Sequence, residues 1–236
     1  MFLKIKKEII PIILLLSFVL LFHYRLVLGQ IYTSQDIGRS DITHLNYPFK
    51  FLLGQSIQSF GLPLWTNLIY SGFPILAEGE TGSFYLPNLL LFFFLPPDQA
   101  FIQSYLLTFF LAAVGVYLYS KIIKLDTLSA IFAAVTFTFS MYLIAHIIHL
   151  NLIQTISLVP WLFLLVEILI AAKKKVLPLV GFSLLLSQQL FAGFVQNAVY
   201  AIAGIFFYII LRILTGKVAL STLGYLILGT FLGILL

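Results

Sequence analysis

The sequence predicts an all-α membrane protein that crosses the bilayer about seven times, and three observations predict it. Apolar residues make up 61% of the 236-residue chain and charged residues only 9%. A soluble domain carries about 25% charged residues, so this much apolar surface needs lipid as its solvent. The apolar residues fall in runs near the 20 or so that a spanning helix needs. The basic residues fall in short clusters between those runs.

The first run, 9–29, follows the basic group Lys4, Lys6 and Lys7. It exceeds the apolar core of a signal peptide, about 7–15 residues, and no small-x-small cleavage site closes it. It reads as a retained helix, with His23 and Arg25 reaching to the interface from its outer third. Further spans are expected at about 100–120, 127–145, 152–172, 176–192, 198–214 and from 218 onward. An N-terminus in the cytoplasm then places four basic groups on one side: Lys4 to Lys7, Lys121 with Lys124, Lys173 to Lys175, and Arg212 with Lys217. That is the positive-inside pattern. Only Arg25, Arg39 and Lys50 fall on the other side. The sequence closes inside an apolar run, Gly-Ile-Leu-Leu, which leads us to expect a longer protein.

Three parts follow: 1–29 as the first span, 30–99 as a large external loop, and 100–236 as a helical bundle. Within the loop, Tyr47 to Phe60 carries apolar residues at helical spacing, and Gly61 and Pro63 end it. Residues 64–88 are rich in glycine, proline and aromatics and read as ordered turns. The apolar patch 84–97, closed by Pro96-Pro97, is too short to span and reads as re-entrant or interfacial. A loop this long without structure of its own would be unusual unless functional.

Composition also excludes. The chain has no cysteine, which removes disulfides and thiolate metal sites. The net charge of +5 is not gathered on one polar face, so nucleic acid is a poor partner. No Walker loop, dinucleotide glycine fingerprint or zinc-protease helix is present, so ATP-driven transport has no support.

Several polar residues could carry chemistry. Asp36 and Asp41 open the loop; carboxylates there suit a general base, a metal that holds phosphate, or simply solvation. Glu78 and Glu80, in Ala-Glu-Gly-Glu-Thr-Gly, could share a cation or form a plain acidic turn. His146 and His149 end the third span, and on a helix their spacing would put both on one face. They suit a metal, a phosphate, or an interfacial pair satisfied by backbone and water. Asn151 and Gln154 add polarity where lipid disfavours it. Gln188, Gln189, Gln196 and Asn197 either line a polar cavity or join helices. Trp65 and Trp161 fit an aromatic belt, although Trp65 is also placed for sugar stacking.

The order of these features resembles the YfhO-like bacterial membrane proteins. Asp41-Ile-Thr-His-Leu-Asn-Tyr-Pro-Phe49 is similar to that family's Asp-x5-Tyr-Pro-Phe element. Gly61-Leu-Pro-Leu-Trp65, Ser71-Gly-Phe-Pro74 and Ala77-Glu-Gly-Glu-Thr-Gly-Ser-Phe-Tyr85-Leu-Pro-Asn88 follow in the family's order. Ala145-His-Ile-Ile-His-Leu-Asn151, Pro160-Trp161 and Ala192-Gly-Phe-Val-Gln196 extend the likeness, which covers roughly 30–200. The chain departs where the family has Asn after Trp, here Thr66, and where it has His in the last element, here Phe194.

The resemblance implies a glycosyltransferase of GT-C type in the bacterial plasma membrane. Such an enzyme takes sugar from a polyprenyl-phosphate-linked donor and passes it to a cell-envelope glycan or lipid on the external face. It implies Asp41 as the catalytic base. Asp36, Arg39, His44, Tyr47, Trp65, Glu78, Glu80, Asn88, His146, His149 and Gln196 are the candidates for holding donor and acceptor. The leaving phosphate needs positive charge; Arg39, His146 and His149 are candidates, as is a divalent cation such as magnesium or manganese. The alternatives are a non-enzymatic flippase of lipid-linked glycans and a membrane scaffold. A flippase would more often carry its acids within the spans, where Glu167 alone is expected.

Overall fold

The computed structural model describes residues 5–32, 40–69 and 71–236, with side chains from Glu8 onward. Helices dominate, and an isolated bridge between Thr66 and Phe73 is the extended pairing found among the described residues. Helix α1 (Ile5–Phe22) is followed at His23 by the single turn α2 (Tyr24–Val27). Leu15 and Val19 are buried while Ile10, Ile13 and Leu21 are exposed, so one side of α1 packs and the other is left for lipid. The expected reach of His23 to the interface is not found. Its ring is buried against Phe109 and hydrogen-bonds the Tyr32 hydroxyl, because both aromatic partners lie on the inner side. Arg25 is exposed.

A π-helical turn (Ile42–Asn46) runs into α3 (Tyr47–Gln58). Pro48 sits in the first turn of α3, where a missing N–H is tolerated. The helix stops where Phe60 turns left-handed (φ 56°) before Gly61. Its inner face is Phe49, Lys50, Leu53 and Gly54. Then come α4 (Ile75–Glu78), α5 (Leu86–Phe94) and α6 (Pro97–Ile122). A methyl on Gly54 would lie 3.0 Å from Pro97 and 3.1 Å from Phe92, so α3 lies close against the α5–α6 corner.

Asp126 caps α7 (Thr127–Thr138) by accepting from Ser129 N at 3.0 Å, and Ser140 caps the short α8 (Met141–Ala145). Next are α9 (Leu150–Ser157) and α10 (Val159–Ala171), separated at Leu158. The expected span 152–172 is found as the apolar stretch Leu150–Ala171, with an irregular turn at Leu158. Pro160 supplies the reason: it has no N–H for the Ile156 carbonyl, and its ring crowds that carbonyl. The chain continues through α11 (Val176–Phe191), α12 (Val195–Leu214) and α13 (Ser221–Leu235).

Four stretches are long and apolar enough to cross a membrane: Pro97–Ile122, Thr127–Ala145, Leu150–Ala171 and Val195–Leu214. Glu8–Phe22, Val176–Phe191 and Ser221–Leu235 are apolar but shorter. The protein is therefore a helical membrane protein. Trp161, expected in an interfacial belt, instead sits within the Leu150–Ala171 stretch. It donates to the Leu111 carbonyl (2.9 Å) and lies so close to Gly115 that a methyl there would come within 2.6 Å of its ring.

Two contacts fix the direction of the first pair. Tyr117 donates to Glu8, and His23 packs on Phe109, so α1 and α6 are antiparallel. Glu8, Tyr117 and Lys121 share one end of the bundle. Lys124, Glu167, Arg212 and Lys217 meet at that same end. Asp41, Glu80, Asn88 and His149 lie at the opposite end. Every described basic cluster thus occupies the end away from the acids of the loop.

Small residues bring α13 onto α11. Gly229 and Gly233 are four apart, the spacing that lets membrane helices approach closely. Methyls there would meet Leu179 at 2.9 Å and the Ser183 carbonyl at 2.9 Å, and Ser183 donates to the Gly229 carbonyl. Gly224, on the same helix, has nothing within 4 Å. We expect Gly229→Val and Gly233→Val each to destabilise by about 1–3 kcal/mol through overpacking. Thermal unfolding in detergent should show both midpoints lowered, while Gly224→Ala holds or raises it.

Candidate functional site

The site forms around the N-terminus of α9. Asp41 opens the π-helical turn, and its Oδ2 lies 3.1 Å from His149 Nδ1. Asn46, one turn further on, donates from Nδ2 to the Asp41 carbonyl (3.3 Å) and to the Ile148 carbonyl (3.1 Å). One amide therefore ties the start of the loop helix to the turn before α9 and keeps Asp41 beside His149. The two histidines do not share a helix face as their spacing suggested. α8 ends at Ala145, so His146 caps that end and His149 caps the start of α9. Their rings are still close, 6.1 Å between centroids.

Four residues beyond Asn46, on the same helix side, stands Lys50. It is 1% exposed, and its Nζ donates to the Thr81 carbonyl at 2.5 Å. The turn that meets it is built by glycine and acid. Glu78 accepts from Thr81 N (3.0 Å) and Thr81 Oγ1 (3.1 Å). Gly82 is left-handed (φ 65°), and a methyl there would fall 2.8 Å from Asn88 Nδ2 and 3.1 Å from Lys50 Nζ. Only glycine lets both side chains come up to that backbone. Asn88, fully buried, donates to the Gly82 carbonyl (3.1 Å) and accepts from Gln154 Nε2 (2.8 Å). Asn151 donates to Glu80 Oε2 (3.4 Å). Gln188 accepts from Leu86 N (2.7 Å), satisfying a first-turn N–H of α5.

The result is a tight crevice, closed to a water molecule, lined by Leu45, Asn46, Phe49, Lys50, Glu80 and Thr81. Asp41 stands one helical turn from Asn46 at its edge. Burial drives the Lys50 pKa down from 10.5 to about 7, with the Glu78 carboxylate opposing part of the fall. Burial also raises the Glu78 pKa, against the two Thr81 hydrogen bonds. A buried cation and two carboxylates thus share one turn at the acid end of the bundle.

The structure joins Asp41, His149, Glu78, Glu80 and Asn88, with His146 beside His149. It does not join the rest. Tyr47 donates to Asp98, and that bond, with burial, raises its pKa to about 12. Trp65 is 59% exposed, bonded to Asn67 and laid against Gly72, with a face left open. His44 is exposed. Gln196 is exposed and donates to the Tyr200 hydroxyl. Asp36 and Arg39 lie outside the described residues.

A divalent cation does not fit the described donors. No group of three or more histidine and carboxylate side chains converges among them. Each acid near the cleft is also already held: Asp41 by His149, Glu78 by Thr81, and Glu80 by Asn151.

Lys50 and Asn46 were not singled out by sequence. A signal existed: Lys50 lies on the same helical stripe as Phe49, Leu53 and Gly54, which marks it as inward-facing. No protein-family model, curated protein or solved structure matches the chain.

The lowered Lys50 pKa has a stability consequence. Between pH 7 and 10.5 the unfolded lysine is protonated more than the folded one, so stability rises with pH across that window; below pH 7 the full cost of burying the charge applies. That cost is on the order of a few kcal/mol. Lys50→Met should remove the rise and raise the melting midpoint at pH 7. Melting curves of both proteins from pH 6 to 10 measure it; parallel pH profiles would contradict the assignment.

Proposed function

We propose that this protein is a membrane glycosyltransferase of GT-C type. It would move a sugar from a polyprenyl-phosphate-linked donor to a cell-envelope glycan or lipid at the external face of a bacterial plasma membrane. The observation that carries the reading is the placement of the Asp41–His149 pair and buried Lys50 along one loop segment, at the bundle end opposite the basic clusters. With those clusters cytoplasmic, this end faces outward and the N-terminus lies inside. The three shorter apolar helices then count as spans beside the four long ones, giving seven. The ordered motifs shared with YfhO-like proteins support the same reading.

The chemistry follows from placement. Asp41 accepts the proton of the acceptor hydroxyl, and His149 orients its carboxylate. The acceptor oxygen attacks the anomeric carbon as the bond from that carbon to the phosphate oxygen breaks. The phosphate departs with the electron pair, and Lys50 meets the charge. The base and the phosphate-binding cation must stand on opposite sides of the reacting carbon. The nine residues from Asp41 to Lys50 span about 13 Å of helix, shortened by the reach of the two side chains. A sugar ring would enter only as the crevice beside Lys50, closed to water as it stands, opens. The open face of Trp65 suits sugar stacking.

The test is sugar transfer by the purified full-length protein in vesicles, given polyprenyl monophosphates bearing labelled hexoses or pentoses together with an envelope extract as acceptor. Asp41→Asn should lower turnover by about 10²–10⁴-fold with unchanged membrane insertion, and His149→Gln by less. Full activity of Asp41→Asn would sink the base role. No transfer from any donor, by a protein that is folded by its melting curve, would sink the enzyme reading.

A further inference from the structure

The far end of the bundle holds a second polar site. A cavity of about 290 Å³ opens there, lined by Ile122, Ile123, Lys124, Glu167, Arg212 and Lys217. Four elements converge on it: the end of α6 with the following turn, the last part of α10, the last turn of α12, and the turn before α13. Three cations face one carboxylate. Glu167 neutralises one of them, accepting from Arg212 Nη1 at 2.6 Å. The same nitrogen also donates to the Tyr208 hydroxyl at 2.6 Å. Arg212 is therefore held by one corner of its guanidinium. Its Nε is buried and has no partner in the protein. Lys124 and Lys217 are exposed.

The backbone adds a second peculiarity. Leu125 N bonds the Ser120 carbonyl and Lys124 N the Lys121 carbonyl, each at 3.0 Å, closing α6 with a left-handed residue (φ 72°) at Lys124. That position is ordinarily glycine or asparagine. A lysine there puts an ammonium on the cavity wall.

We propose that this cavity binds a phosphate group, carried by the headgroup of an anionic phospholipid. Guanidinium and ammonium donors on converging helix ends are the chemistry that recognises phosphate. Glu167 and Tyr208 hold Arg212 in place, and the two lysines close on the remaining oxygens. The setting favours a lipid over a free ion. Leu211 and Leu214 beside Arg212, and Ile123 beside Lys124, are exposed, so acyl chains have apolar surface directly below the cations. The site lies at the opposite end from Asp41 and does not depend on the glycosyltransferase reading.

The experiment uses the full chain in a neutral detergent, titrated separately with phosphatidylglycerol, phosphatidylcholine and inorganic phosphate while the melting midpoint is followed. Phosphatidylglycerol should raise the midpoint saturably and phosphatidylcholine should not. Added salt should weaken the effect. The double variant Lys124→Gln/Lys217→Gln should bind on the order of tenfold or more weakly, since each lysine near an anionic headgroup is worth about a fivefold change. Lys173→Gln/Lys174→Gln removes the same charge at the same end but off the cavity, and should match the unsubstituted protein. A saturable shift with inorganic phosphate that Lys124→Gln/Lys217→Gln abolishes, without one for the lipid, would keep the phosphate site but overturn the lipid as its source. Equal shifts from both phospholipids, or equal weakening by both double variants, would overturn the site itself.

Discussion

Helix α9 is buried along nearly its whole length, and no water is at hand to satisfy what it leaves open. Breaks on both sides of it, at 146–149 and at Leu158, expose more backbone. Amide side chains from three other elements meet this need. Asn46 reaches the Ile148 carbonyl, Asn197 the Leu152 carbonyl (3.3 Å) and Gln189 the Thr155 carbonyl (3.0 Å). α9 returns bonds of its own: His149 to Asp41, Asn151 to Glu80, Gln154 to Asn88. An unmet buried group costs about 1–3 kcal/mol, so these bonds hold the loop in register with the bundle. The acids at this end of the bundle are positioned by the same contacts that let the broken helix stay buried.

That dependence explains what sequence could tell and what it could not. The long spans were legible because a run of apolar residues has one cheap solution in lipid: Pro97–Ile122 was expected at about 100–120 and Val195–Leu214 at about 198–214. The helix from Tyr47 was legible from its spacing and its Gly-Pro stop. The break at Leu158 was hidden, since Pro160 sits within an unbroken apolar run and hydropathy does not register a lost N–H. The histidine pair misled because an i, i+3 spacing implies one face only if the helix continues, and α8 ends at Ala145. Asn46, Asn151 and Gln154 acquire their meaning from partners up to 102 residues away, which periodicity cannot reveal. Lys50 was lost to averaging: in a polar stretch a lysine counts as a solvated charge until its stripe is traced.

The two ends of the bundle use charge in opposite ways. At the basic end, Lys124 and Lys217 are exposed, and Arg212 is matched by Glu167, so cations there carry little penalty. At the acid end, Lys50 is enclosed, with one carbonyl as its hydrogen-bond acceptor and Glu78 as a partial counter-charge. Methionine would fill the same space without desolvating an ammonium. A fold selected for stability alone would take the methionine, and proteins accept such penalties where activity uses the strained group. The Lys50 pKa near 7 fits that use. An empty site keeps the lysine partly neutral and tolerably buried. In the proposed glycosyltransferase, a phosphate near Thr81 would favour the protonated lysine. The Asp41 carboxylate, by contrast, is half-exposed and lies 3.1 Å from His149. In the proposed reaction this difference in burial would suit the two roles: a base open to a hydroxyl arriving from outside, and a lysine kept from water until charge develops on the leaving phosphate.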